Sequence, residues 1–511
     1  MIGLIFPSEN GTSQSHQIKN HRYQAVIYIT QEDKPIAYTM DEKYLKWGVL
    51  LSSALAIFMA NIDVSIVNVV LPLLVNTFHV SFNDISLINL LYLVSMTSFL
   101  LIAGKLSDIF GPELMLSAGY GIFIISSALC GLSQSLQGLE IFRFIQGIGA
   151  ALLFSTSAVI ITRYIASDWW GRAFGVNGLF ACIGFALGSP VGGYIQDTIG
   201  WRWIFFVNIP IGIAGIVLVR LLLNKPYTRT NTETPDIVGF ILSLAFIGSL
   251  SFTLHILSES SSYPLLPLSI TIVGIALAIF VFHQKRAPSP LLDFSVFKDR
   301  ILNLALCASF FYTFILSGVS LLLPFYLIDL LNYSASTAGL FLAIPTASSI
   351  FLAYVSGWLT DKLGPIIPCI MGMFFCLFAG IAFHGLTMTT SGVNICFSLV
   401  LYGIGIGLFV PASVAFVMNQ SEEKNRGMIS SLKSLILQLG SITGLTVFTI
   451  IYTFGISTSG FSDIISQYQY LSNFHFAMLF VIISSILSLI VCISARKISS
   501  DIMKKTKPEL T

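Results

Sequence analysis

Apolar runs of about twenty residues recur along the whole chain, separated by short polar stretches. Each is long enough to cross ~30 Å of hydrocarbon at about 1.5 Å per helical residue. Fourteen can be counted, at about 47–72, 86–104, 114–133, 138–162, 172–195, 203–224, 236–257, 264–284, 301–328, 335–359, 365–386, 392–418, 428–455 and 474–494. The runs are continuous rather than alternating, which excludes the period-two pattern of a membrane β-barrel. The pattern predicts an all-α integral membrane protein with 14 transmembrane helices.

The polar stretches between the runs are sided. Of the 26 basic residues, 23 fall in the two tails and in alternate loops, all on one side. Arg202 alone lies opposite, and Arg143 and Lys433 fall inside spans. Basic loops stay in the cytoplasm. Both termini are therefore expected there, in a multi-pass protein of the plasma (cytoplasmic) membrane, and an even span count satisfies this.

Composition agrees: 55% of residues are hydrophobic and 10% charged, with mean hydropathy +0.85. A soluble domain carries about 25% charged residues, so this chain lacks the charge to coat a water-facing surface. The net charge of +2 is distributed by topology and does not point to nucleic acid. The seven cysteines lie in or beside spans without metal-ligand spacing, which reads as buried packing and no metal site. Residues 1–39 are polar, lack a signal-peptide layout and read as a disordered extension, or as an upstream misassigned start, ahead of Met40. No G-x-x-x-x-G-K-[ST] loop and no nucleophile–base cluster is present, which argues against an ATP-driven pump and against an enzyme.

The chain repeats itself. "GKLSDIFGPEL" from Gly104 and "GWLTDKLGPII" from Gly357 share G-x-L-x-D-x-x-G-P, 253 residues apart. "GIGAALLFSTS" from Gly147 matches "GIGIGLFVPAS" from Gly403 at an offset of 256, and Arg172 matches Arg426 at 254. Each match advances by eight spans, whereas two parallel six-helix halves would advance by six. Two spans are therefore inserted centrally. The expected layout is a tail (1–46), a six-helix bundle (47–224), an inserted hairpin of spans 7 and 8 with its linkers (225–300), a second six-helix bundle (301–494) and a basic tail (495–511).

These residues resemble the major facilitator superfamily, in particular its fourteen-helix drug:proton antiporters. "NIDVSIVNVVLP" is similar to that family's first-helix signature through Asp63, Asn68 and Pro72. The loop between spans 2 and 3 keeps Gly104, Asp108 and Gly111, and its repeat keeps Gly357, Asp361 and Gly364. "RFIQGIGAA" matches the fourth-helix motif through Arg143, Gln146, Gly147 and Gly149. In span 5, Gly175, Gly184, Gly188, Gly192 and Gly193 fit the antiporter spacing, with Pro190 one residue late. "WRWIFFVNIPIG", from Trp201, resembles the start of span 6. The loop departs from the family where Ile109, Pro112 and Glu113 stand at or near its usual basic positions. The resemblance implies alternating access driven by the proton motive force without a cofactor. It also implies a hinge or seal in span 5 and gating by the two loops.

An acid inside a span costs roughly 2.5–3.5 kcal/mol on insertion scales and is by default functional. Asp63 lies nine residues before Pro72, hence ~13 Å below that end of span 1. Arg143 sits at a comparable depth in span 4, with Glu140 as a helical neighbour three residues earlier. Desolvation favours the protonated acid and a cation favours the carboxylate, so Asp63 is suited to exchanging a proton for cargo, modulated by Arg143. Asn68 and Gln146 complete this coupling set. Gly184, Gly188 and Gly192 form a smooth stripe for close helix packing. Asp108 and Asp361 are expected to cap the following helices or to pair across the halves. Lys433 is expected to snorkel to the cytoplasm, and Asp329 to lie near water at the far end of span 9. The expected function is proton-coupled export of amphipathic small molecules by a chain that acts as a monomer in the bilayer. A facilitator or importer of a specific nutrient or metabolite on the same fold is the alternative.

Overall fold

The computed structural model describes residues 25–29, 36–40, 42–166, 169–222, 236–258, 264–287, 297–420, 426–453 and 464–506. Most of both tails and the linker stretches 223–235 and 288–296 lie outside these residues. The first half contains α1 (Glu42–Phe78), α2 (Phe82–Phe110), α3 (Pro112–Leu132), α4 (Leu136–Tyr164), α5 (Trp170–Thr198), α6 (Trp203–Phe206) and α7 (Asn208–Leu222). Then come α8 (Ile237–Ser258) and α9 (Leu266–Gln284). The second half contains α10 (Arg300–Phe325), α11 (Ala335–Leu363), α12 (Ile366–His384), α13 (Gly392–Met418), α14 (Arg426–Thr453) and α15 (Ile464–Thr506). Among the described residues, 13 helices are long and apolar enough to span a membrane, counting α6 and α7 as one. The fourteenth is α8, apolar over Ile237–Thr253. The tail read as disordered holds an antiparallel pair, β1 (Ala25–Ile29) with β2 (Ile36–Met40). Both are five-residue runs rich in β-branched and aromatic residues, the composition that favours strands.

Local chemistry sets the helix ends. Ser81 and Asp84 form a reciprocal capping box at the start of α2, and Asp299 accepts from two amides at the start of α10. Gly111 (φ 91°) and Gly364 (φ 79°) make the matching turns after α2 and α11, a conformation that residues with a β-carbon rarely adopt. The capping role expected of Asp108 and Asp361 is not what the structure has. Both lie within the last turns of α2 and α11, and neither α3 nor α12 receives a side-chain cap. Glu113, at the family's basic position, instead binds Arg163 at 3.2 Å and accepts from Tyr164 at 2.7 Å, tying α3 to α4.

The sequence repeat is also a repeat of packing. A β-carbon on Gly147 would collide with Ser95 and the Tyr92 carbonyl, and one on Gly403 with Ser348 and the Pro345 carbonyl. Gly119 and Gly149 bring α3 against α4 as Gly372 and Gly405 bring α12 against α13. Gly184 and Gly188 lie on α1 at Phe58 and Ile62; Gly440 and Gly444 lie on α10 at Phe310 and Phe314. Such glycines let helix backbones approach where lipid gives no hydrophobic drive.

The inserted helices are placed by α8, which packs on both α2 and α14, with Phe240 5.1 Å from Phe99. At its start Asp236 hydrogen-bonds His283 (2.7 Å) and Gln284 (2.8 Å) of α9. Burial works against the ionised carboxyl, but hydrogen bonds from His283, the Gly239 amide and Gln284 outweigh it and hold Asp236 below the usual carboxylate range.

The halves touch at one face and part at the other. At the face opposite the termini, Gly193 and Gly339 put α5 and α11 in backbone contact, and Asp197 accepts from the Ser336 amide at 2.8 Å. Phe82 of α2 packs on Phe325 (4.4 Å) and Tyr452 (4.8 Å) there. Eighteen residues, or five turns, from Gly193 and Gly339 on the same helix faces stand Gly175 and Gly357, with nothing within 4 Å. α5 and α11 therefore part toward the basic face, the one at which α1 begins and α15 ends, and the body opens there.

Candidate functional site

Asp63 lies near the middle of α1 and is fully buried. Its Oδ2 accepts from Arg143 Nη1 at 2.5 Å, and its Oδ1 accepts from Gln146 Nε2 at 2.9 Å and Asn208 Nδ2 at 2.8 Å. Gln146 Oε1 accepts from Arg143 Nη1 at 2.7 Å, and Ser127 Oγ accepts from Gln146 at 2.6 Å and Asn208 at 3.3 Å. The guanidinium carbon stands 4.3 Å from the Tyr92 ring centre, a cation–π contact in a desolvated place. Five helices thus contribute to one network around the carboxylate: α1, α2, α3, α4 and α7. An isolated buried ion would be prohibitive, and here each charged group is paired and hydrogen-bonded.

The depths read from spans 1 and 4 are those at which Asp63 and Arg143 meet. Their repeat counterparts are Ile315 and Leu399 (offsets 252 and 256), so the second half carries no such pair. Glu140 is not the partner of Arg143: it lines a groove with Leu91, Gln137, Ile141, Phe144 and Ile145. Arg143 points across the bundle to α1, which local helix spacing does not register. Asn68 is not in the network either; it accepts from Asn89 at 2.7 Å and joins α1 to α2.

The span 5 set divides by partner. β-Carbons on Gly184, Gly188 and Gly192 would lie 2.6 Å from Phe58, Ser65 and Ile66 of α1. Gly193 meets α11, and Pro190 lies beside Gly339 within a continuous α5. Gly175 is free of neighbours. In the loops, Gly104 is near Ser155 and Gly357 touches nothing within 4 Å.

One expectation is corrected. Lys433 does not reach water: it is 6% exposed and its Nζ donates to Ser413 Oγ at 3.3 Å. Asp329 is half-buried at the far end of span 9, with its Oδ2 enclosed and without a hydrogen-bond partner. It lies in a π-helical turn, Tyr326–Leu330, that ends α10.

Asn208, Ser127 and Tyr92 escaped the sequence reading. The signal for Asn208 was an amide within the apolar "FFVNIPIG"; Ser127 and Tyr92 sit in runs with no comparable contrast. Hydrogen bonds to charged groups contribute about 1.5–3 kcal/mol. Asn208→Ala is accordingly expected to lower the thermal unfolding midpoint in detergent more than Asn89→Ala, which removes a neutral bond.

Two bundles closed at one face and open at the other, with a charge network sealed halfway across, define a membrane transporter. The chain belongs to the Major Facilitator Superfamily, whose family profile matches residues 53–445. It is 28% identical over 407 residues to the riboflavin transporter RibZ of Clostridioides difficile (strain 630), covering 79% of this chain and 88% of that one. It is 25% identical to the multidrug transporter protein MdtP of Bacillus subtilis (strain 168), covering 77% and 73%. It is 27% identical to multidrug resistance protein 3 of the same organism, covering 79% of each. Relatives named as multidrug transporters accord with the resemblance to drug antiporters. A bacterial homologue of the human lysosomal transporter Spinster, inward-facing and occupied, shares the fold at TM-score 0.62 and 16% identity, over 88% of this chain and 96% of that one.

Proposed function

We propose that this chain exports amphipathic small molecules, cationic or neutral, in exchange for protons by alternating access. It acts as a monomer in the cytoplasmic membrane, with both termini in the cytoplasm and the proton motive force as its only energy source. The observation that carries this reading is the Asp63–Arg143 pair, sealed at mid-depth in a body open toward the basic face. A carboxylate held by an arginine and two amides becomes a proton acceptor once rearrangement of the halves loosens those donors, and a proton returns the arginine to other partners. With no other acid so deep in a described span, fewer than three protons per cycle are expected, measurable as the reversal potential of transport at fixed pH gradients.

The test is reconstitution in liposomes under an imposed pH gradient, with lipophilic cations, sugars, amino acids and riboflavin offered separately. Uphill movement of lipophilic cations against proton flow supports the reading. A second reading, a carrier for one metabolite, is favoured by the relative named a riboflavin transporter. Transport of riboflavin alone, unmoved by the pH gradient, would establish it instead.

Arg143→Leu places in the first half the residue that the second half carries as Leu399. The half should still assemble, because an orphaned Asp63 can take a proton. Uphill transport is expected to fall at least tenfold in the same liposomes, and unaltered proton-coupled efflux would remove Arg143 from the mechanism.

A further inference from the structure

We propose that Lys433 is a second proton-exchanging group, built into the second half at the place where the first half holds a closed neutral cluster. In the first half Asn177 of α5 donates to Ser53 Oγ (2.8 Å) and Ser157 Oγ (2.9 Å), and the two hydroxyls lie 2.7 Å apart. Ser53 also donates to Asn177 Oδ1 at 3.2 Å, so the amide both gives and accepts. All three side chains are buried.

Advancing Asn177 and Ser157 by 256, the offset that takes Gly184 to Gly440 and Gly147 to Gly403, gives Lys433 and Ser413; advancing Ser53 by the 252 that relates α1 to α10 gives Ala305. The geometry is retained while the chemistry changes. Lys433 bonds Ser413 as Asn177 bonds Ser157, but the second hydroxyl has become a methyl group, and an ammonium with three N–H groups has one acceptor. No carboxylate of the described residues lies within ion-pair distance of it. The helices packed on α14 (α2, α8, α10, α13 and α15) give Lys433 no ion-pair partner among the described residues, and α10 and α13 contribute Ala305 and Ser413.

A cation this poorly matched costs what any unpaired membrane charge costs, and losing its proton removes the cost. At 6% exposure there is no room beside Nζ for cargo, so the proton is the ligand that fits. Lys433 lies seven residues into α14, ~10 Å from the face toward which the halves open, and a modest rearrangement would hydrate it. Its use in transport rests on the proton-driven reading; its ionisation does not.

The test is acid–base titration of the purified full-length chain in detergent, compared with Lys433→Met and with Lys433→Asn. The second variant copies Asn177 and restores a neutral polar group where methionine fails to fold. The expected difference is one proton, released from the wild type and from neither variant before the range in which a solvated lysine (~10.4) titrates. A difference confined to about pH 10 and above marks a permanent ammonium, whether solvated or holding an anion, and overturns the proposal. Failure of proton-driven export would be read separately, from Asp63→Asn in liposomes, and leaves this titration intact.

Discussion

Asp63→Asn is expected to abolish uphill transport while leaving cargo able to equilibrate. The carboxylate takes three donors in the state open to the basic face, from Arg143, Gln146 and Asn208. Asparagine offers one oxygen and no charge, and it cannot take up or release a proton at any working pH. The change also strands Arg143. Removing one partner of a buried pair costs about 3–5 kcal/mol, so the variant must first be shown to fold by its unfolding midpoint and its elution as a monodisperse species. In liposomes, the imposed pH gradient should then drive no accumulation, while exchange of labelled for unlabelled lipophilic cation persists. Asp63→Glu separates chemistry from packing, because it keeps the titrating group in altered geometry and should recover part of the coupling. If Asp63→Asn still concentrated cargo against its gradient at the expense of protons, the proton site would lie elsewhere.

Gly193→Ala is expected to bias the chain away from the state described. A single methyl group there collides with the backbone carbonyl of Ala335, which has no rotamer through which to yield. The relief available is separation of α5 from α11 at the face opposite the termini. Overpacking of this kind costs about 1–3 kcal/mol, equivalent to a shift of roughly 5- to 150-fold in population. Tyr194 and Leu340, both exposed beside the contact, are suitable positions for paired spin labels in a cysteine-depleted background. Their distance distribution should move to longer values in Gly193→Ala. Gly175→Ala, on the same stripe but with no neighbour, should leave it unchanged. Identical distributions for wild type and Gly193→Ala would mean that this contact does not set the equilibrium.

Much of the architecture was legible because membrane spans are written in one dimension. Length and hydropathy alone locate each helix, and the shared G-x-L-x-D-x-x-G-P locates the repeat. Asp63 and Arg143 stood out for the same reason, as charges where charge is costly. What stayed hidden is lateral. Glu140 looked like a partner for Arg143 because helical neighbours can be counted along the chain, whereas the contact from α4 to α1 depends on how the helices are rotated. Lys433 looked able to reach water because its side chain is long enough. It is instead buried and bonded to Ser413 of α13, a lateral contact that chain length does not reveal. Asp108 and Asp361 looked like caps because they precede helices, but α2 and α11 continue past them and the glycine turns do the stopping.

The position of α8 makes the two sides of the molecule unequal. It lies across the seam between α2 and α14, while no described helix lies across the seam between α5 and α11. A hydrophobic compound dissolved in the leaflet on the basic side therefore meets a wall on one flank and a bare crevice on the other. If cargo enters from the lipid as distinct from the aqueous phase, the unequal flanks favour the α5–α11 side, and α8 shields the other.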